Sequence, residues 1–343
     1  MTAESLAAGD ERWDGLVDAA PTPDVYFRPG YCRAYEAAGE GRAVAVRTGG
    51  ALFPLVLREL PFGQDGFDAV TPYGYGGLLP LSRDASVPVS DTVSDLRQLR
   101  DWCASNQVVS VLIRLHPLLG DLPHLARSDG VQVRQHGPTT AVDLTRVQDG
   151  RLAGMNKGRK ADLSVARREL EITWDGGDEA LERFRAVYDE TMRRLDAGEH
   201  YLFPPEYYRA LADGLGERLG VALALRGEET VGGALFLADR KGPFAHYHLS
   251  GTTEAGRELK AGTLLVHEGA VWAVERGSEL LHLGGGTQGA DSLYAFKRSF
   301  GGKEFTYSFA TLVADEARYE ALVARRAEEP EPPRPDFFPA YRA

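Results

Sequence analysis

Residues 279–307, ELLHLGGGTQGADSLYAFKRSFGGKEFTY, constrain the fold more than any other stretch of the chain. Leu280, Leu281 and Leu283 read as a short strand and Gly284, Gly285, Gly286 and Gly289 as a turn. Asp291 then reads as the cap of a helix from Ser292 to about Phe300. On that helix Leu293, Lys297 and Phe300 are spaced i, i+4 and i+7, which places a lysine on the stripe expected to face the interior, beside Phe296. A cation in that position either lays its stem over apolar surface and reaches water, or meets an anion.

A chain of 343 residues, 43% hydrophobic and 26% charged, exceeds what most single cores hold, so two domains are expected. The net charge of −11 argues against a nucleic-acid coat over the whole surface and leaves room for a local basic patch. Cys32 and Cys103 are widely spaced and have no histidine set at metal spacing near them. Both are expected to be buried thiols, with no metal site and no disulfide. The opening MTAESLAAGDERWDG lacks a basic region followed by an apolar core, and no run of about eighteen apolar residues occurs anywhere, so a cytoplasmic protein is expected.

The pattern along the chain is mixed α and β. A helix is expected at 29–38, then strands at 43–47 and 51–57 joined as a hairpin at Gly49 and Gly50. In the segment 68–79, Tyr73 and Tyr75 are interleaved with Gly74, Gly76 and Gly77. A helix at 91–105, a strand at 108–115 and a strand at 131–144 broken near Gly137 and Pro138 complete a first domain, 1–150. The second domain, 151–327, begins with a basic segment. A strand at 171–174, helices at 178–196 and 205–219, and strands at 221–226, 231–238 and 244–250 follow. The turns GEET and DRKG between these last strands make them antiparallel neighbours. A helix at 261–276 is apolar almost all round and therefore buried. The tail 328–343 is proline-rich and expected to be extended or disordered.

The basic segment holds Arg151, Lys157, Arg159, Lys160, Arg167 and Arg168 against the single acid Asp162 before Glu169. It is either a solvated helix face or a grip on phosphates. On the strand at 244–249, strict alternation puts Phe244, His246 and His248 on one face and Ala245, Tyr247 and Leu249 on the other. Two histidines on one side are a hydrogen-bonded, partly buried pair or include a general base, His248, for an acceptor amine. The run from Gly284 to Gly289 satisfies G-x-G-x-x-G, but it lies in an antiparallel neighbourhood without a βαβ unit, so no dinucleotide site is expected. Neither G-x-S-x-G nor H-E-x-x-H occurs.

Helix, helix, three antiparallel strands, buried helix, strand, helix, strand is the element order of the acyl-CoA N-acyltransferase (GNAT) fold, and the first domain shows a looser version of it. The chain resembles the FemABX peptidyltransferases and their acetyltransferase-like relatives. The resemblance is carried by residues 155–170, by 261–277, and by His282 to Gly285 followed by Phe296, Lys297 and the turn Phe300-Gly301-Gly302. It implies an α/β (α+β) protein of two tandem GNAT-like domains, each a mixed, mostly antiparallel sheet flanked by helices.

The resemblance further implies an acyltransferase that moves an aminoacyl group from aminoacyl-tRNA to an amine, on a small molecule or a peptidoglycan precursor, with no cofactor beyond the acyl donor. Lys297 would stabilise negative charge on the reacting carbonyl or on the tRNA end. Phe296 would lie beside it, with Tyr73, Tyr75 and Tyr247 toward the acceptor and Lys157, Arg159 and Lys160 toward a phosphate-bearing substrate. The sequence departs from the family pattern at His282, where an aspartate is usual, and lacks the long helical-hairpin insertion of the staphylococcal members. The competing donor is an acyl-CoA, for which the matching segment is RELKAG, Arg257 to Gly262. There Lys260 replaces the first glycine, either obstructing the phosphates or contacting them itself, with Gly262 behind it. A third reading is a member of the fold that binds a ligand without catalysis.

Overall fold

The computed structural model describes residues 3–82, 89–120, 130–148, 151–286, 289–332, 334 and 336–343. Thr287 and Gln288 of the glycine-rich turn lie outside the described residues. The chain forms two compact units, one comprising Met1–His136 and Tyr307–Ala343 and the other Gly137–Thr306. The division falls earlier than the expected boundary at 150, and the last segment of the chain returns to the first unit.

The first unit opens with two elements that the sequence reading leaves unassigned, β1 (Glu4–Ala7) and α1 (Glu11–Ala19). The helix starts where the Asp10 carboxylate accepts the amide of Arg12 at 3.0 Å. Then come α2 (Pro29–Ala37), the hairpin β2 (Arg42–Arg47) and β3 (Ala51–Glu59), β4 (Phe67–Val70), β5 (Leu79–Pro80), α3 (Val89–Ser105) and β6 (Val108–Arg114). β1, β2, β3 and β4 pair antiparallel in that order, and β4 pairs parallel with β6. Phe53, Leu55, Leu99, Val111 and Ile113 fill the core between this sheet and α3.

β7 (Val131–Asp143) runs unbroken through Gly137 and Pro138, contrary to the expected break. Its pairing with β14 (Leu280–Gly285) ends at Thr139, so Pro138 lies one residue beyond the ladder and its missing N–H removes no bond there. The second unit continues with the short strands β8 (Val147–Gln148) and β9 (Arg151–Leu152), α4 (Lys157–Glu169), β10 (Glu171–Trp174), α5 (Asp178–Arg194) and α6 (Pro205–Leu215). After them come β11 (Leu219–Arg226), β12 (Glu229–Ala238), β13 (Phe244–Thr252), α7 (Glu254–Glu258) and α8 (Ala261–Glu275), then β14 and α9 (Ser292–Arg298). β11, β12 and β13 are successive antiparallel neighbours, as their hairpin turns require, β10 pairs antiparallel with β11 across the two intervening helices, and β13 pairs parallel with β14. α8 is buried along Leu264, Leu265, Val266, Ala270 and Ala273; it packs on Phe236 of β12, in a core that also holds Leu281 of β14. A Cβ on Gly269 would stand 2.0 Å from the Phe236 ring, so the helix approaches the sheet only because that position is glycine.

β15 (Lys303–Val313) leads back to the first unit, where residues 309–313 pair antiparallel with β6. A further helix that the sequence reading did not assign, α10 (Glu316–Arg326), is capped by Asp315. The end of the tail is held down. Tyr341 is 1% exposed and its hydroxyl is 2.8 Å from Ser110 Oγ, while Arg342 reaches the buried carboxylate of Asp68. One aromatic anchor and one ion pair to a buried carboxylate fix these last residues.

Candidate active site

Three parts of the second unit converge on α9: the start of α4, the start of α8, and the end of β14. α4 begins at Asn156, whose side chain accepts the amide of Arg159 at 2.9 Å, while its own N–H donates to Ser299 O at 3.1 Å. Just beyond α9, Gly301 has φ +84°, and a Cβ there would lie 2.3 Å from Gly154 O. Only glycine allows the two backbones to touch, and the entry to α4 is thereby fastened to the exit of α9. Between them opens a cavity of about 590 Å³, lined by Asn156, Lys157, Gly158 and Arg159 on one side and by Ser292, Ala295, Phe296 and Ser299 on the other.

Arg159 ties the walls together. Its guanidinium carbon stands 5.3 Å from the centre of the Phe296 ring, one nitrogen donates to Thr263 Oγ1 at 3.2 Å, and another pairs with Asp162 at 3.0 Å. Lys157 and Lys160 stay exposed, whereas Arg167 pairs with Glu268 of α8 at 3.0 Å. The basic segment thus divides into cations that build the wall and cations that face water.

Asp291 caps α9 by accepting the amide of Tyr294 at 2.9 Å, as the sequence predicts. The expected apolar stripe does not form. Leu293 is 39% exposed, the buried residue of the helix is Tyr294, and the helix ends at Arg298, so Phe300 is buried by the following turn and not by helical period. Lys297 turns back toward the end of β14 instead and donates to Gly285 O at 2.8 Å. Its side chain is part-exposed, yet protein crowds the ammonium closely. Burial lowers the lysine pKa to about 8, and the negative charge of Asp291 opposes that shift. The lysine meets a carbonyl dipole and a nearby carboxylate, and its further N–H donors are not used by Gly285.

The expected alternation on β13 fails at His248. The pairing of β12 with β13 shifts between Leu235 and Phe236, so that Leu235 opposes Leu249 and Phe236 opposes Tyr247, leaving His248 as an inserted residue. His246 and His248 therefore do not form the regular one-face pair. His248 Nε2 lies 3.0 Å from the hydroxyl of Tyr207, and burial, then the charge of His246, holds its pKa down to about 3. A neutral imidazole of such low basicity is a weak general base. Tyr247 leans on Phe236 with centroids 5.4 Å apart and packs against the core that also carries Phe296.

Lys260 precedes α8 with φ +63°, the left-handed conformation that glycine adopts freely. Gly262 faces Phe296, since a Cβ there would be 3.7 Å from the end of that ring. Tyr73 and Tyr75 belong to the first unit, among its own aromatic residues. The Tyr31 hydroxyl donates to Tyr73 O, and the Tyr75 ring meets Tyr307 edge-on at 5.1 Å. Gly74, at φ +101°, has the Tyr26 ring where a side chain would go, so tight packing accounts for this glycine. Sequence reasoning missed Asn156, Thr263, Ser292 and Ser299. Asn156 alone carried a local signal, an N-cap residue just ahead of the basic run.

Residues 153–298 match the acetyltransferase (GNAT) domain family. Among solved structures, FemX aligns over 93% of this chain and 99% of its own at 14% identity, with a TM-score of 0.69. The C-terminal domain of a putative lysylphosphatidylglycerol synthetase from Agrobacterium fabrum aligns over 90% of this chain and 92% of its own, at 15% identity and a TM-score of 0.58. A tandem GNAT protein from the clavulanic acid biosynthesis pathway aligns over 91% and 98%, at 13% identity and a TM-score of 0.52. No curated protein matches the chain in sequence. Among the described residues no helix is long and apolar enough to cross a membrane.

Proposed function

We propose that this GNAT-fold acyltransferase, whose fold is similar to that of FemX, moves an aminoacyl group from aminoacyl-tRNA to an amine. The observation that carries the reading is the cavity of about 590 Å³, walled by the capped start of α4 and by the helix that bears Phe296 and Lys297. A helix start with exposed Lys157 and Lys160 suits the phosphates of an RNA end, and Phe296 offers a flat apolar surface beside them. An amine attacking the ester carbonyl forms the new C–N bond and builds an oxyanion. Collapse expels the ribose hydroxyl, which takes up the proton that the amine loses. Lys297, charged below a pKa of about 8, supplies N–H donors and positive charge to that oxyanion. Holding the two reactants together supplies much of the remaining acceleration. Charged tRNA makes this a cytoplasmic reaction.

A second reading, an acyl-CoA donor, is favoured by the match of residues 153–298 to acetyltransferase domains. The two donors separate in one experiment. Gel shift with a mixed aminoacyl-tRNA pool is expected to show binding whose log–log salt slope is roughly −2, from about three phosphate contacts at about 0.7 each. Absence of tRNA binding at low salt, together with calorimetric binding of acetyl-CoA, would overturn the aminoacyl-transfer reading.

A further inference from the structure

An acyl-CoA held as the GNAT fold implies would set its pyrophosphate on the first amides of α8, a helix N-terminus at the head of a glycine-bearing segment. The residues present do not fit that group. Lys260 stands in the left-handed conformation at φ +63°, so a long side chain occupies the position where the fold calls for a residue without one. The approach to the helix is itself wound into α7, and its donors turn inward. The amide of Gly256 donates to Thr253 Oγ1 at 3.1 Å, that of Arg257 to Thr253 O at 3.0 Å, that of Leu259 to Ala255 O at 3.0 Å and that of Lys260 to Arg257 O at 3.2 Å. A pyrophosphate loop needs such amides aimed outward. The first turn of α8 is also flanked, with Phe296 against Gly262 and Arg159 on the Thr263 hydroxyl.

We infer that the start of α8 is closed to a pyrophosphate, with Lys260 as the residue that bars it, and that acyl-CoA is not the donor of this chain. The inference rests on reading the chain as an acyltransferase and narrows the donor class of that reading. Its test is calorimetric titration of the full chain and of Lys260→Gly with CoA and acetyl-CoA, with hydrogen exchange followed over residues 259–264. Glycine suits the left-handed position, so the variant keeps the fold. The native chain is expected to show no protection of 259–264 at millimolar CoA. Lys260→Gly is expected to gain affinity by about ten-fold or more, with protection appearing in that segment. Micromolar CoA binding by the native chain with protection at 259–264 overturns the inference, and so does a Lys260→Gly variant as silent as the native chain. The tRNA gel shift, run in parallel on the native protein, reports on the aminoacyl-transfer reading alone, so the failure of either statement is visible without the other.

Discussion

Two helices of the second unit begin beside α9, and they offer a ligand opposite surfaces. α4 starts at an asparagine cap, carries exposed lysines and opens onto the cavity. α8 starts at a left-handed lysine, follows a wound segment whose amides are already bonded, and is flanked by Phe296 and Arg159. Both helices have the same macrodipole at their N-termini. With the dipoles alike, the side chains and the hydrogen bonds already made by the nearby amides are what distinguish the two ends.

The comparison breaks most severely at Gly301, where α9 is fastened to the entry of α4. Gly301→Ala places a Cβ against Gly154 O in a left-handed backbone, and it is expected to cost roughly 3 kcal/mol or more in urea denaturation. An unchanged denaturation midpoint would mean that the fastening is loose and the open end of α4 needs no support from α9.

Lys297 tests whether the helix beneath both ends takes part in chemistry. Lys297→Ala is expected to lower turnover by about ten-fold or more while the thermal transition is retained, and full activity in that variant would remove the lysine from the mechanism. The pH dependence sharpens the point because it runs in two directions. Turnover that needs the ammonium should fall as pH rises through about 8. The folded pKa lies below the ordinary 10.5, so between these values the unfolded chain binds more protons than the native one, and the contribution of this group to stability rises with pH. Activity and stability moving together across that window would contradict a desolvated catalytic lysine. The smallest effect is expected at the cap of the open helix, where Asn156→Ala should cost about 1 kcal/mol by denaturation and weaken tRNA retention.

Much of the second unit could be read from residues alone. The turns between β11, β12 and β13, the apolar α8 and the Asp291 cap are local signals, each written in neighbouring residues, and each appears where expected. The failures share one physical cause. His248 leaves its strand face because β12 imposes a register shift, and period-2 alternation in one strand carries no information about a bulge set by its partner. Phe300 is buried by a turn that closes against Gly154, far upstream, and not by helical spacing. Tyr341 and Arg342 at the end of the tail are held by Ser110 and Asp68, which lie more than two hundred residues away in the chain.

By itself, then, the sequence determined the order of elements, the buried helix and the identity of the lysine on α9, because hydrophobic period, caps and turn residues act within a few positions. Tertiary structure decided that this lysine answers the backbone carbonyl at the end of β14, that Arg159 is part of a wall, and that the start of α4 opens onto a cavity. Those outcomes depend on distances between segments far apart in the chain, and packing sets such distances where local propensity does not.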